Sequence, residues 1–176
     1  GISISPMQLV AGVAAMINGG IQHNPTLLRR PNGETPKGVR VISPSTSEKI
    51  RRLMRLVVES GTGKNAAAEG MLVGGKTGTA EKVVGKRYKA KALMSSFIGA
   101  FPMNAPRYVV FAMLDEPTGT KKTFGYATGG WVAAPVVGKV IARIGPMLGV
   151  RPVDADAPEI QRKMMVKIDT EKTGAR

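Results

Sequence analysis

The stretch Gly70 to Glu81, which reads Gly-Met-Leu-Val-Gly-Gly-Lys-Thr-Gly-Thr-Ala-Glu, limits what this chain can fold into more than any other. As a string, Gly70-x-x-x-x-Gly75-Lys76-Thr77 satisfies the P-loop spacing, in which backbone N–H groups of a glycine-rich loop converge on phosphate. That geometry needs a strand before the loop, a helix opening at the lysine and parallel strands beyond. Here the variable positions include Met71, Leu72 and Val73, a bulky apolar run that reads as strand. Gly78-Thr79-Ala80-Glu81-Lys82-Val83-Val84-Gly85-Lys86 follows, with no apolar period of 3.6, so no helix opens at Lys76.

The apolar run Tyr108 to Leu114, closed by Asp115-Glu116, imitates the magnesium-binding strand of an ATPase. It is preceded by another strand, Leu93 to Phe101, across only Pro102-Met103-Asn104-Ala105-Pro106. A link that short joins antiparallel strands, because a parallel pair needs a crossover of roughly a dozen residues or more. The same stretch makes better sense as an edge strand carrying Lys76, Thr77 and Thr79, with Gly75 and Gly78 removing bulk so that a ligand can lie alongside. Hydroxyls and an ammonium then face an anion, each charge-assisted bond being worth about 1.5–3 kcal/mol.

The chain has 176 residues, 43% of them apolar, enough for one domain or a large part of one. Cysteine is absent, which excludes disulfide and thiol chemistry. No apolar run of about 18 residues is present to span a membrane, and the opening Gly1-Ile2-Ser3 suggests further sequence upstream. The net charge of +14 raises the question of nucleic acid, yet aromatics are only 5% and do not interleave with the basic segments as stacking platforms would. The basic residues, at Arg29-Arg30, Lys37 to Arg40, Lys49 to Arg55 and Lys82 to Lys91, are read as a solvated surface near an anionic polymer or membrane. His23 is the only histidine and has no partner at ligand spacing, so neither a metal site nor a cofactor is expected.

The element pattern predicts an α+β fold, an antiparallel sheet packed with helices. A helix starts at Ser5-Pro6-Met7-Gln8, a capping box, presents Leu9, Val10, Val13, Ala14 and Ile17, and stops at Asn18-Gly19-Gly20. The segment Ile21 to Pro44, rich in Pro, Gly, Asn and Arg, reads as irregular or short-strand surface. A second helix is expected from a capping box at Ser45-Thr46-Ser47-Glu48, with Ile50, Leu53, Met54, Val57 and Val58 inward and Arg51, Arg52 and Arg55 toward solvent. It ends at Ser60-Gly61, where Gly61-Thr62-Gly63-Lys64 reads as a helix stop. Strands are expected at Met71–Lys82, Leu93–Phe101 and Tyr108–Asp115, with basic residues Lys86–Lys91 in the first connection. Pro117 to Gly130 forms a loop long enough to border a site. A last helix runs from Ala134-Pro135 to Gly145-Pro146, with Val136, Val137, Val140, Ile141 and Ile144 on one face, and residues 151–176 read as a mobile tail.

In this order the features resemble the transpeptidase domain of class B penicillin-binding proteins, most closely the septal, penicillin-binding protein 3 type. The matching pieces are Ser5-Pro6-Met7-Gln8-Leu9 with Asn18-Gly19-Gly20, Gly61-Thr62-Gly63-Lys64-Asn65-Ala66, Gly75-Lys76-Thr77-Gly78-Thr79-Ala80-Glu81, Ser96-Phe97-Ile98-Gly99-Ala100-Phe101-Pro102 and Gly129-Gly130-x-Val132-Ala133-Ala134-Pro135. They cover residues 1 to about 150, and Lys76-Thr77-Gly78 matches the family's Lys-Thr-Gly box.

The resemblance implies a C-terminal portion, residues 1–150, of a penicillin-binding-protein/β-lactamase-like domain. It implies a serine D,D-transpeptidase that cross-links peptidoglycan, with stem peptides and β-lactams as ligands, at the outer face of the cytoplasmic membrane in the periplasm. By this resemblance Lys76 joins the proton-moving network, Thr77 and Thr79 hydroxyls hold a carboxylate beside Gly78, and the Thr79 N–H forms half of an oxyanion hole. The family's Ser-x-x-Lys and Ser-x-Asn boxes are not found here; with the membrane anchor they are expected upstream of Gly1. Alone, this chain is therefore expected to be inactive, to need the upstream half of its domain as a partner, and to meet division proteins through the whole protein. Rival readings are a P-loop nucleotide-binding module and a noncatalytic basic surface-binding domain.

Overall fold

The computed structural model describes residues 3–28, 36–84 and 87–166. The element order is α1 (Pro6–Ile17), β1 (Ile21–His23), β2 (Gly38–Arg40), α2 (Pro44–Glu59), β3 (Gly74–Val84), β4 (Arg87–Phe101), β5 (Tyr108–Asp115), α3 (Gly129–Val132), α4 (Ala134–Met147) and α5 (Pro158–Met164). β1 and β2 pair as a small antiparallel ribbon, and β3-β4-β5 form an antiparallel sheet with β4 in the centre. The α+β class is as the pattern predicted. The strand continues past Thr77 to Val84 and its neighbours are antiparallel, so the helix and parallel sheet that a P-loop requires are both contradicted.

Alternation along the strands divides the core in two. Phe97 and Phe101 of β4, with Val110, Ala112 and Leu114 of β5, face Val137 and Ile141 of α4. Ile98 and Ala100, with Val109 and Phe111, face the other way, onto Val13 and Ile17 of α1, Met54 of α2 and Ile160 and Met164 of α5. Helices thus cover both faces of the sheet. Phe97 is fully buried where the elements converge: a Cβ on Gly63, Gly75 or Gly99 would lie 3.0, 2.4 or 3.3 Å from its ring.

Local chemistry accounts for the helix ends. Ser5 and Gln8 form the expected reciprocal cap on α1. The cap of α2 is instead Ser43, which accepts from the Thr46 N–H at 3.1 Å and places Pro44 in the first turn. Ser47 is buried and accepts the Gly19 N–H at 3.0 Å, tying α2 to the end of α1.

Several other expectations are corrected. β3 starts at Gly74 and not at Met71, because Leu72 takes a left-handed φ of 44° that breaks the extended run. β4 starts at Arg87, so most of the basic segment Lys86–Lys91 is strand and not connection, and Lys86 lies outside the described residues. Arg55 does not face solvent: its guanidinium donates to the Val73 carbonyl at 2.8 Å and pairs with Glu59 at 2.9 Å. Leu53 is exposed instead. On α4, Val137 and Ile141 are buried with Gly138 and Gly145, whereas Val136 and Val140 lie on the outer face.

At the far end of β3, Lys82 reaches over the sheet to Asp115 at 2.8 Å and Glu116 at 3.1 Å. Asp115, then Glu116, hold its pKa above the ordinary lysine value. The Lys82 ammonium is therefore fully charged below that ordinary value, and on the alkaline side the clasp loosens as pH rises through the raised one.

Residues 151–166, read from sequence as part of a mobile tail, form a packed strap. The Val153 N–H bonds the Gly70 carbonyl at 2.8 Å, and α5 then buries Ile160 and Met164, four residues apart on one helical face. Residues 167–176 lie outside those described. Met164→Ala is expected to cost about 2–5 kcal/mol as a buried large-to-small change. Urea unfolding followed by Trp131 fluorescence checks this, and an unchanged midpoint would mean the strap is not part of the core.

Candidate functional site

β3 is an edge strand among the described residues, and its outer side borders a cleft of about 470 Å³. The cleft is lined by Gly61, Thr62, Lys64, Asn65, Thr77, Thr79, Thr128, Gly130 and Trp131. Alternation puts Thr77 and Thr79 on one face, and Lys76 and Gly78 on the other. Of the four residues singled out in the sequence, the two threonines line the cleft. Lys76 does not; its ammonium donates to the Thr77 carbonyl at 2.9 Å and lies 3.4 Å from the Thr77 hydroxyl. Gly78 supplies clearance, since a Cβ there would meet the Ser96 Oγ at 2.6 Å.

The walls come from two segments distant in sequence. After α2, Thr62 brings its hydroxyl to 3.1 Å from that of Thr77. Asn65, in the short 3-10 turn Lys64–Ala66, donates its side-chain amide to the Gly130 carbonyl at 2.9 Å. From the other side, the Gly129 N–H donates to the Thr79 hydroxyl at 3.0 Å. Close approach demands glycine at both positions of that segment. A Cβ on Gly129 would sit 2.2 Å from the Ser96 carbonyl oxygen, and one on Gly130 2.4 Å from that of Thr62.

Beyond Thr128, Trp131 stacks on Tyr126 with centroids 5.7 Å apart and meets Phe124 edge-on at 5.6 Å. Thr62 was read in sequence as part of a helix stop and Asn65 was given no role there; only their place in the matching segment 61–66 pointed to them. A larger hollow of about 950 Å³, beside Gly70 and Pro152, contains none of the singled-out residues. Chemically, the cleft offers hydroxyl donors and the Lys64 ammonium on an open strand edge, a setting for a small anionic, peptide-like ligand.

Residues 1–142 match the family described as the penicillin binding protein transpeptidase domain. The chain belongs to that family. It is 44% identical over 160 residues to a protein of Caulobacter vibrioides named probable peptidoglycan D,D-transpeptidase FtsI, covering 86% of this chain and 27% of the relative. To stage V sporulation protein D of Bacillus subtilis it is 41% identical over 162 residues, covering 86% and 24%. The chain thus spans about a quarter of the length of these relatives. Among solved structures it is similar to the apo TP domain of Burkholderia pseudomallei penicillin-binding protein 3, with TM-score 0.78, 37% identity, and coverage of 88% of this chain and 45% of that one. A Mycobacterium penicillin-binding protein 3 at 24% identity and TM-score 0.77 shares the fold over 96% of this transpeptidase-family chain.

The wall geometry makes a graded prediction. Asn65→Ala removes the donor from the carbonyl of the buried Gly130 and is expected to cost about 1–3 kcal/mol. Thr62→Val breaks a hydroxyl pair open to solvent and is expected to cost under about 1 kcal/mol. Urea midpoints compare the two, and equal losses would mean the Asn65 amide does not hold the wall.

Proposed function

We propose that this chain is the carboxylate-binding part of a penicillin-binding D,D-transpeptidase that cross-links peptidoglycan by serine acyl transfer. The observation that carries the reading is the pair of hydroxyls, Thr77 and Thr79, lining the cleft along the open edge of β3 in a chain of this family. A stem peptide or a β-lactam lies along that edge, and the two hydroxyls hold its carboxylate. The Thr79 N–H serves as one oxyanion donor, a role worth about 10²–10³ in rate. Lys76, directed across the backbone beside Thr77, sits where its ammonium can join the proton-moving network around the nucleophile.

The serine box and its Ser-x-Asn partner come from the rest of the domain. Two features support a place for that part. The outer edge of β5 is unpaired among the described residues, and Val136, Val140 and Met147 are exposed on the outside of α4. Without the upstream part, the hydroxyls and lysine have no serine nucleophile to serve, and this chain alone is inactive. The whole protein works at the outer face of the cytoplasmic membrane, in the periplasm, in cell division and with division partners, a setting that the family resemblance implies; a relative's name gives peptidoglycan D,D-transpeptidase. Among the described residues no helix is long and apolar enough to cross a membrane.

Labelling of the full-length protein with a fluorescent penicillin tests this. An adduct on a serine upstream of this chain, formed about 10- to 100-fold more slowly in Thr79→Val, is the expected result. Folded full-length protein that takes no label would overturn the reading.

A further inference from the structure

We propose that Ser95 is a positioning residue that fixes the polarity of the Thr79 hydroxyl through the segment Ala127–Gly129. The proposal rests on the carboxylate-binding reading above and adds a residue that the Lys-Thr-Gly box does not contain.

Ser95 and Thr79 are direct cross-strand partners on β4 and β3, so their side chains share one face of the sheet. The same segment lies over both. Ser95, fully buried, donates its hydroxyl to the Ala127 carbonyl at 2.6 Å. Two residues on, the Gly129 N–H donates to the Thr79 hydroxyl oxygen at 3.0 Å. The loop is therefore stapled to the sheet at two adjacent points, one on each strand.

The directions of these bonds matter. A backbone N–H can only donate, so the Thr79 oxygen must accept. A hydroxyl has one donor and two acceptor sites. With one lone pair engaged by Gly129, its proton and second lone pair remain, and the hydroxyl can turn its proton into the cleft that Thr79 lines. Thr79 thus meets a ligand as a donor, the polarity that suits an acceptor-only carboxylate. A freely turning hydroxyl would lose part of that preference.

Ser95 matters because it holds the chain on the side before Gly129, as the Asn65 amide holds Gly130 on the side after it. The preceding residues Thr118 to Tyr126 are mostly exposed, with Phe124 held at a left-handed φ of 51° and hydrogen bonds confined largely to the turn Thr120–Tyr126. Gly129 itself is pressed against the sheet with no room for a Cβ. Removing the Ser95 hydroxyl frees Ala127 and lets the Gly129 N–H drift from Thr79. The Ser95 side chain lies behind Thr79 and is absent from the cleft lining, so its effect on a ligand is transmitted.

The test compares acylation of the full-length protein by benzylpenicillin and by its methyl ester, in which the carboxylate charge is removed. Ser95→Ala is expected to slow the free acid about tenfold while changing the ester by less than about twofold. In a Thr79→Val background Ser95→Ala should add nothing, the non-additivity of residues acting through one contact. Ser95→Cys, which keeps the side chain's place but offers only a weak S–H donor, should show the same pattern to a smaller degree, and it decides the matter if Ser95→Ala does not fold. Equal slowing of both probes, or an undiminished Ser95 effect without the Thr79 hydroxyl, would make Ser95 a packing residue and overturn the proposal. Folded wild-type protein that takes neither probe would instead sink the carboxylate-binding reading, and this inference with it.

Discussion

The ring of Phe97 occupies space that Gly63, Gly75 and Gly99 leave open, and the rest of the architecture depends on that contact. The phenylalanine is on the central strand, its cross-strand partner is Thr77, and it is fully buried against α4. Because Gly75 precedes Lys76 and Gly63 follows Thr62, one aromatic ring sets the height of the ligand-facing strand and of the loop opposite it. Interiors packed at crystal-like density transmit such displacements with little loss. The hydroxyl-to-hydroxyl approach of Thr62 and Thr77 is thus a consequence of packing one layer deeper.

How much of this could be read from residues alone follows from the range of each interaction. Ser5 and Gln8 act within one turn, and the Ser5-Pro6 start of α1 was legible. The short link between β4 and β5 fixed their antiparallel sense, and the bounds of β5 were readable from its unbroken apolar run. The cap of α2 was misplaced by two residues because Ser43 and Ser45 both precede plausible first turns, and only the burial of Ser47 against Gly19 separates them. Arg55 was assigned to solvent by helical periodicity, which cannot see a carbonyl of another segment waiting at Val73.

The site divides in the same way. Thr77 and Thr79 followed from the alternation of a single strand. Asn65 meeting Gly130 and Thr79 meeting Gly129 join residues far apart in the chain, and no local pattern encodes such a meeting. The aromatic group of Tyr126 and Trp131 was hidden for a related reason: a Gly/Thr/Lys loop reads as solvent-facing until the fold shows what it leans on.

The strap that ends in α5 gives the fold a temporal property. Ile160 and Met164 lie in the same core cluster as Val13 and Ile17, so the first and last helices described here close one layer together. Delivered from its N-terminal end, the chain offers α1 and α2 to the sheet before α4, and α4 before α5. The side that α1 and α2 cover is completed only when α5 is added, and closing that layer bears the loop-closure entropy of almost the whole segment. During that interval the part of this layer that Ile160 and Met164 cover stays open, the part of this chain that most needs shielding before its folding is complete.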